Sequence, residues 1–255
     1  MYVFANIKNK KSLTTPAGKT TAIVGESGSG KTTLMKLLLK FYKPTAGHIT
    51  IGGQDLEDIS ASSVRAASGV VMQENYIFSD TLKGNIVLGH EPDEQRINEA
   101  LDAACLRHFV EEHPLGLQTK LGSDGMGVSG GEKQRIMIAR AIFKHPAYIM
   151  LDEATSSLDA ETERKITENL GALRKGRTML VIAHRLSTVK NADNIIVLRH
   201  GKVVKQGNHQ QLVERRPKDS LAAYRYLESR RIVTAYMYDG ETRLIKLVFR
   251  KWSKR

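Results

Sequence analysis

Lys31 and Thr32 close the run Gly25-Glu26-Ser27-Gly28-Ser29-Gly30-Lys31-Thr32, which lies between two apolar stretches at 21–24 and 34–39. The spacing G-x4-G-K-T, set between a strand pattern and a helix pattern, is that of a phosphate-binding loop. A buried strand ends, glycines turn the chain, and a helix begins whose first N–H groups point at an anion. Gly25 and Gly30 permit backbone angles and close approaches that a side chain would block. Lys31 can reach the β- and γ-phosphates of a nucleotide, and the Thr32 hydroxyl can ligate Mg2+. A Gly-rich turn ahead of a helix is the plainer alternative, and the flanking strand and helix signals weigh against it. The chain is therefore expected to bind ATP or GTP.

Two further constellations carry chemistry. Tyr148-Ile149-Met150-Leu151-Asp152-Glu153 is an apolar strand that ends in two carboxylates. A carboxylate at such a strand end lies beside a phosphate loop, where Asp152 would hold a Mg2+ shell through water. Glu153 follows at once and is placed to orient and deprotonate an attacking water. A helix cap ahead of residues 159–173 is the competing reading of these carboxylates. The second constellation is Val128-Ser129-Gly130-Gly131-Glu132, just before a helical pattern. It reads as another anion-ready helix start, or as a capped helix with Glu132 in its first turn. Two phosphate-type loops for one nucleotide call for an explanation, and dimerisation supplies one.

The elements that must position these residues can be traced by pattern. Residues 48–51 (HITI) alternate and are closed by Gly52-Gly53, a strand and turn; residues 69–73 (GVVMQ) read as a buried strand. Residues 79–118 lack strand signals. Residues 93–112 have helical spacing, with Ile97, Leu101, Ala104, Cys105 and Phe109 on one face, Pro92 and Asp93 at the start and Pro114 at the end. Residues 131–143 form a second helix and 159–173 a third. Residues 179–183 (MLVIA) and 195–198 (IIVL) are apolar strands, and Gly201 turns the latter into 202–206. Strands alternating with helices predict an α/β fold with a mostly parallel sheet covered on both faces. A helix-only lobe is expected between the strand ending at Gln73 and the strand starting at Tyr148.

Bulk properties narrow the class. The chain has 255 residues, 41% of them hydrophobic, enough for one large α/β domain or a domain with an inserted lobe. No stretch approaches the roughly 18 apolar residues of a membrane span, and the first residues lack the pattern of a signal peptide. The single cysteine, Cys105, allows no internal disulfide, which together with the phosphate loop points to the cytosol. The net charge of +12 is uneven: residues 215–255 carry 12 basic and 4 acidic side chains. The segment RLIKLVFRKWSKR interleaves apolar and basic residues. That suits contact with an anionic membrane surface or nucleic acid, or else a solvated, partly ordered end.

With these motifs in order, the chain resembles the nucleotide-binding domain of ABC transporters. GESGSGKT resembles the Walker A loop, VSGGE the signature motif, YIMLDE Walker B, and Ser156-Ser157-Leu158-Asp159 the D-loop. Gln73 in VVMQE resembles the Q-loop residue and His184 in VIAHR the switch histidine. The six motifs together cover about residues 16–210. The segment YIFSDTLKGNI at 76–86 is similar to exporter-type members, with peptide and bacteriocin exporters as the nearest subgroup. The resemblance implies a P-loop NTPase core with a mostly parallel sheet, a small antiparallel β region and an inserted helical subdomain. It implies an ATPase domain over residues 1–214, with a core at 1–75 and 146–214, a helical subdomain at about 76–145, and a basic extension at 215–255.

The resemblance also implies a mechanism. Two domains pair head to tail, each ATP lying between Gly25, Glu26, Ser27, Gly28, Ser29, Gly30, Lys31, Thr32 and Thr33 of one chain and Ser129, Gly130 and Gly131 of the other. Asp159 crosses the interface. Thr32, Gln73 and Asp152 hold Mg2+; Glu153, His184 and Gln73 serve catalysis. The implied partners are a second such domain and an exporter's transmembrane domain, at the cytoplasmic face of the inner membrane, with no direct nucleic acid contact. The chain departs from the family in three ways. Only Tyr2 or Phe4 is available to stack adenine. Lys11 and Thr15 stand where apolar strand residues are usual, so a loosely packed first sheet is expected. The resemblance fades beyond about residue 211. The alternative is a soluble ABC ATPase acting on nucleic acid or ribosomes. Only 97 residues separate Lys31 from Ser129, too few for the long coiled coil of DNA-repair members, and ribosome-acting members usually hold two such domains.

Overall fold

β-branched, apolar strands form the centre of the molecule, and their carboxyl ends define one working edge. The computed structural model describes residues 3–7, 11–74, 76–122, 125–173, 176–183, 186–214, 233–238 and 244–249. The chain opens with β1 (Val3–Ile7), β2 (Lys11–Thr15), β3 (Thr20–Gly25) and α1 (Lys31–Leu38). The short strands β4 (Ile49–Ile51) and β5 (Gln54–Asp55), then α2 (Ala61–Ala66) and β6 (Ser68–Val71), follow. Four helices come next: α3 (Leu82–Val87), α4 (Glu94–Ala103), α5 (Arg107–Glu112) and α6 (Gly130–Phe143). The chain then runs through β7 (Tyr148–Asp152), α7 (Ala160–Leu173), β8 (Thr178–Ile182), α8 (Leu186–Lys190), β9 (Asn194–Arg199), β10 (Lys202–Gly207) and α9 (His209–Glu214). Two last strands are β11 (Val233–Tyr238) and β12 (Leu244–Phe249).

The main sheet has the order β10-β9-β3-β8-β7-β6. All its pairings are parallel except β9 with β10. Such strands are buried on both faces, which is why they read as continuous apolar runs: Thr21, Ala22, Ile23 and Val24 of β3 are all fully buried. Register sets the working edge. Ile182 of β8 pairs with Ile23 of β3 on one side and with Asp152 of β7 on the other. The ends of β3 and β7 therefore emerge level, two strands apart, where α/β sheets bind ligands. A smaller antiparallel sheet, β2-β1-β4-β5, shares no strand pairing with it. Thr15 there is buried, and Leu13 and Ile49 join the core under the main sheet, so this part is packed despite the polar threonine.

Between β6 and β7 the regular elements of the described chain are all helices, joined by loops that carry two isolated bridges, Thr81 to Lys120 and Leu121 to Met126. The expected helix at 93–112 is two helices. Asp93 caps α4 by accepting from the Arg96 N–H. At the other end Cys105 takes a left-handed φ of 53°. The Cys105 N–H donates to the Asp102 carbonyl and the Leu106 N–H to the Leu101 carbonyl, the two bonds of a Schellman stop. A non-glycine residue makes this stop, so the apolar period ran through it unmarked.

Strand and helix limits elsewhere shift by a residue or two. The strand expected at 69–73 ends at Val71, leaving Gln73 in an exposed bend. Within the basic extension, β11 and β12 pair antiparallel from Val233–Phe249 to Tyr238–Leu244, so the LIKLVF part of the interleaved segment is a strand. The adenine-stacking candidate Phe4 lies on β1 opposite Thr14 and Thr50; Tyr2 lies outside the described residues.

Candidate functional site

The loop after β3 is shaped by glycines with left-handed backbones, Gly28 at φ 75° and Gly30 at φ 97°. Gly25 has a different reason to be glycine. A Cβ there would sit 2.3 Å from the Leu198 carbonyl oxygen of β9 and 2.6 Å from Ser29 Oγ. The loop is buttressed from the same side by the β9–β10 turn, whose Gly201 N–H donates to the Ser29 carbonyl at 3.0 Å. Glu26, Ser27 and Gly28 form the exposed crest, Ser29 is buried, and Thr33 is exposed.

Helix α1 starts at Lys31 with Gly30 as its N-cap, no side-chain cap and no acidic residue in its first turn. Its first N–H groups are thus left for an outside acceptor. The Lys31 ammonium folds back and donates to the Gly25 and Glu26 carbonyls, both at 2.9 Å. That occupies two of its three donors and leaves the third for an anion. Burial pushes the Lys31 pKa down, opposed by the nearby Asp152 and Glu153 carboxylates.

Across the edge, the Thr32 hydroxyl donates to Asp152 Oδ2 at 2.7 Å, and Asp152 is buried. A hydroxyl and a carboxylate this close offer two hard oxygen donors to one small cation, a donor set that fits Mg2+. Among the described residues no group of three or more His, Cys, Asp or Glu side chains could hold a metal. An ion here would take its remaining ligands from phosphate and water, as Mg2+ at nucleotide sites does. Gln73 lies exposed two residues beyond β6, whose Val71 pairs with Leu151. His184 lies outside the described residues.

Glu153 follows β7 directly, with a left-handed φ of 54°. Its carbonyl accepts from the Ser156 N–H at 3.1 Å and from Gln134 Nε2 at 3.2 Å. The cap of the third helix, α7, is Asp159 and not Asp152 or Glu153, for which a cap was the competing reading. Asp159 Oδ1 accepts from the Glu161 and Thr162 N–H groups at the start of α7. Hydrogen bonds from Thr162, from its hydroxyl first and then its N–H, hold the Asp159 pKa below the usual value. Asp159 is exposed.

At the other motif, Ser129 caps α6 in a full capping box. Its hydroxyl accepts from the Glu132 N–H at 3.2 Å, and Glu132 Oε2 accepts from the Ser129 N–H at 2.7 Å. The box leaves the Gly130 and Gly131 N–H groups outside it, so the anion-ready part of this terminus is those two glycines. Their contacts run to the D-loop-like segment: a Cβ on Gly131 would meet the Ser157 carbonyl oxygen at 3.4 Å.

Three positioning features escaped the sequence reading. One is the buttress of Leu198 and Gly201, which leaves no motif. The second is Gln134, a polar residue one helical turn before the buried Ile138 and itself buried; that mismatch was its signal. The third is the pair Asn85 and Arg140. Asn85 is fully buried and clasps Phe78 through both N–H and carbonyl, while Arg140 donates to the Asn85 and Tyr76 carbonyls. Burial lowers the Arg140 pKa to about 10. Together they hold the segment that follows Gln73.

A level strand edge carrying a glycine loop, an uncapped helix and a Thr–Asp pair defines a P-loop nucleotide-binding protein. Comparison with known proteins places it further. The family described as ABC transporter matches residues 9–156. The chain is 47% identical over 203 residues to the "ATP-dependent lipid A-core flippase" of Ralstonia nicotianae, covering 78% of this chain and 34% of that one. It is 46% identical over 213 residues to the "Heterocyst differentiation ATP-binding protein HepA" of a Nostoc species, covering 83% and 35%. The solved structure of "a bacterial Atm1-family ABC exporter with ATP bound" superposes with a TM-score of 0.83 at 36% identity, covering 92% of this chain and 42% of that one. The chain belongs to the ABC transporter family and is an ATP-binding domain of it. It spans about a third of the length of these two curated relatives.

Proposed function

We propose that the chain is the ATP-hydrolysing domain of an ABC exporter and works as a head-to-tail pair. Residues 1–214 form the ATPase domain, with a core at 1–75 and 146–214 and a helical subdomain at about 76–145. Lys31 and the uncapped start of α1 bind the phosphates. Thr32, Asp152 and Gln73 would hold Mg2+, which would neutralise charge on the phosphates. Glu153 takes the proton from the attacking water, with His184 positioning it. Ser129, Gly130 and Gly131 meet the nucleotide of the second chain, and Asp159 crosses the interface between them.

The observation that carries the reading is the 2.7 Å Thr32–Asp152 link beneath a helix start with no cap of its own. The relatives' names support an exporter, and among the described residues no helix is long and apolar enough to cross a membrane. In this reading an exporter's transmembrane domain holds the ATPase domain at the cytoplasmic face of the membrane. The reported relatives are not named for peptides, so the peptide and bacteriocin subgroup gains no support from them. Nor do they favour the nucleic-acid or ribosome alternative. Because each pocket needs two chains, specific ATPase activity should rise with protein concentration. Constant specific activity across about a hundredfold dilution, with pairing expected at micromolar levels, defeats the shared-pocket reading.

A further inference from the structure

Gln134 lies in the second turn of α6 and is 7% exposed. A buried amide must find partners for its donors and its acceptor. Every partner recorded for its side chain belongs to the segment after β7. Nε2 donates to Ser156 Oγ at 2.8 Å and to the Glu153 carbonyl at 3.2 Å, and Oε1 accepts from the Ser157 N–H at 2.9 Å. That carbonyl belongs to a residue in the left-handed region. A non-glycine residue keeps such a backbone only where its surroundings hold it. Two donors hold this one, Gln134 Nε2 and the Ser156 N–H.

One turn earlier the same helix presents Gly130 and Gly131 against Ser157 and Leu158, with Ser129 as its cap. We propose that Gln134 is a positioning residue that fixes the turn at Glu153, and so aims its carboxylate, while tying the Ser129–Gly130–Gly131 terminus to that turn. The inference rests on the roles proposed above for Glu153 and for that terminus. In a head-to-tail pair the terminus meets the partner's nucleotide and Glu153 serves the chain's own. A shift at one nucleotide then reaches the carboxylate acting on the other through a single bonded unit within each chain.

The test uses the full chain. Gln134→Met keeps side-chain length and removes every hydrogen bond. Gln134→Glu keeps the acceptor facing Ser157 but sets an anion against the Glu153 carbonyl. Nucleotide titration gives ATP affinity, steady-state kinetics give kcat, KM and the Hill coefficient, and a melt gives the thermal midpoint. Both variants should lose kcat by roughly tenfold to a hundredfold, the scale of a misplaced catalytic group. KM and ATP affinity should stay within about twofold, the signature of an interaction that acts on the chemical step. The Hill coefficient should fall towards one, and Ser156→Ala, which removes a single partner, should lose less kcat.

Wild-type kcat in a folded Gln134→Met protein overturns the proposal. So does a loss of ATP affinity and thermal midpoint in step with kcat, which is what a merely structural glutamine would give. The concentration dependence of the wild type separates this failure from the wider one. If it is absent, the shared pocket fails and the coupling fails with it. If it is present and the variants turn over normally, only the Gln134 assignment falls.

Discussion

The two helix starts of this chain, α1 at Lys31 and α6 at Gly130, look alike in sequence and are built in opposite ways. α1 has a glycine cap and no acidic residue in its first turn. α6 has a serine cap and a glutamate that closes a reciprocal box. The first terminus leaves its N–H groups and positive end uncompensated, so an anion from outside supplies what the chain lacks. The second closes its Ser129 and Glu132 N–H groups on itself and leaves only those of Gly130 and Gly131. It needs no ligand to be stable, and what it presents is a rigid edge of two glycine N–H groups on the D-loop-like segment. An open terminus makes a binding site, whereas a closed one makes a contact surface that can be offered to another chain.

Variants can break or sharpen that contrast. Glu153→Gln should cut turnover by about a thousandfold, within the range lost with a general base. Nucleotide binding should survive, and an ATP-held dimer should appear by size exclusion. A variant that stays monomeric, or still hydrolyses, contradicts the assignment. Lys31→Ala removes the cation of the open terminus and should weaken ATP binding by about a hundredfold, as loss of a charge-assisted contact to phosphate implies. Unchanged affinity in a nucleotide titration would mean the open terminus does not bind the phosphates.

Ser129→Ala probes the closed terminus. Loss of the cap should cost about 1 kcal/mol, a drop of about 2–4 °C in the melting midpoint for a chain of this size. ATP affinity at Lys31, measured on dilute, unpaired chains, should be unaffected, and a parallel loss there would erase the contrast. The smallest effect should come from pH. Burial alone would raise the Glu132 pKa, but the Ser129 N–H and hydroxyl outweigh it and leave it below the usual 4.5. A depressed folded-state pKa means stabilisation that is present above that value and is lost as pH falls through the folded-state pKa. The stability gap between wild type and Glu132→Gln should therefore narrow in acid melts as pH falls below 4.5. A gap of constant size would place the Glu132 contribution outside its charge.

Much of the site could be read from the chain because its chemistry sits in contiguous runs. The phosphate loop, the carboxylates at 152 and 153 and the SGGE helix start each declare residue type and spacing locally. The break in the helix at 93–112 could not be read, because a cysteine took the left-handed stop that glycine usually marks. Asp159 was assigned an interfacial role by resemblance, and the structure adds that its carboxylate caps α7. Gly25 was assigned to the phosphate, yet the Leu198 carbonyl alone would exclude a side chain there. His184 lies outside the described residues, so its role rests on its motif.

What the sequence determined by itself was the inventory: which strands are apolar enough to be buried, where glycines free the backbone, and which side chains can bind phosphate or move a proton. These follow from local propensity and from residues a few positions apart. Only the tertiary structure decided which of them act together. Thr32 and Asp152 are 120 positions apart and meet at 2.7 Å because β3 and β7 flank β8 in register. Gln134 reaches Glu153 because α6 packs its polar exception against the turn after β7. Such pairings depend on strand order and helix packing, long-range choices settled by burial of the whole core, and no local window of residues contains them.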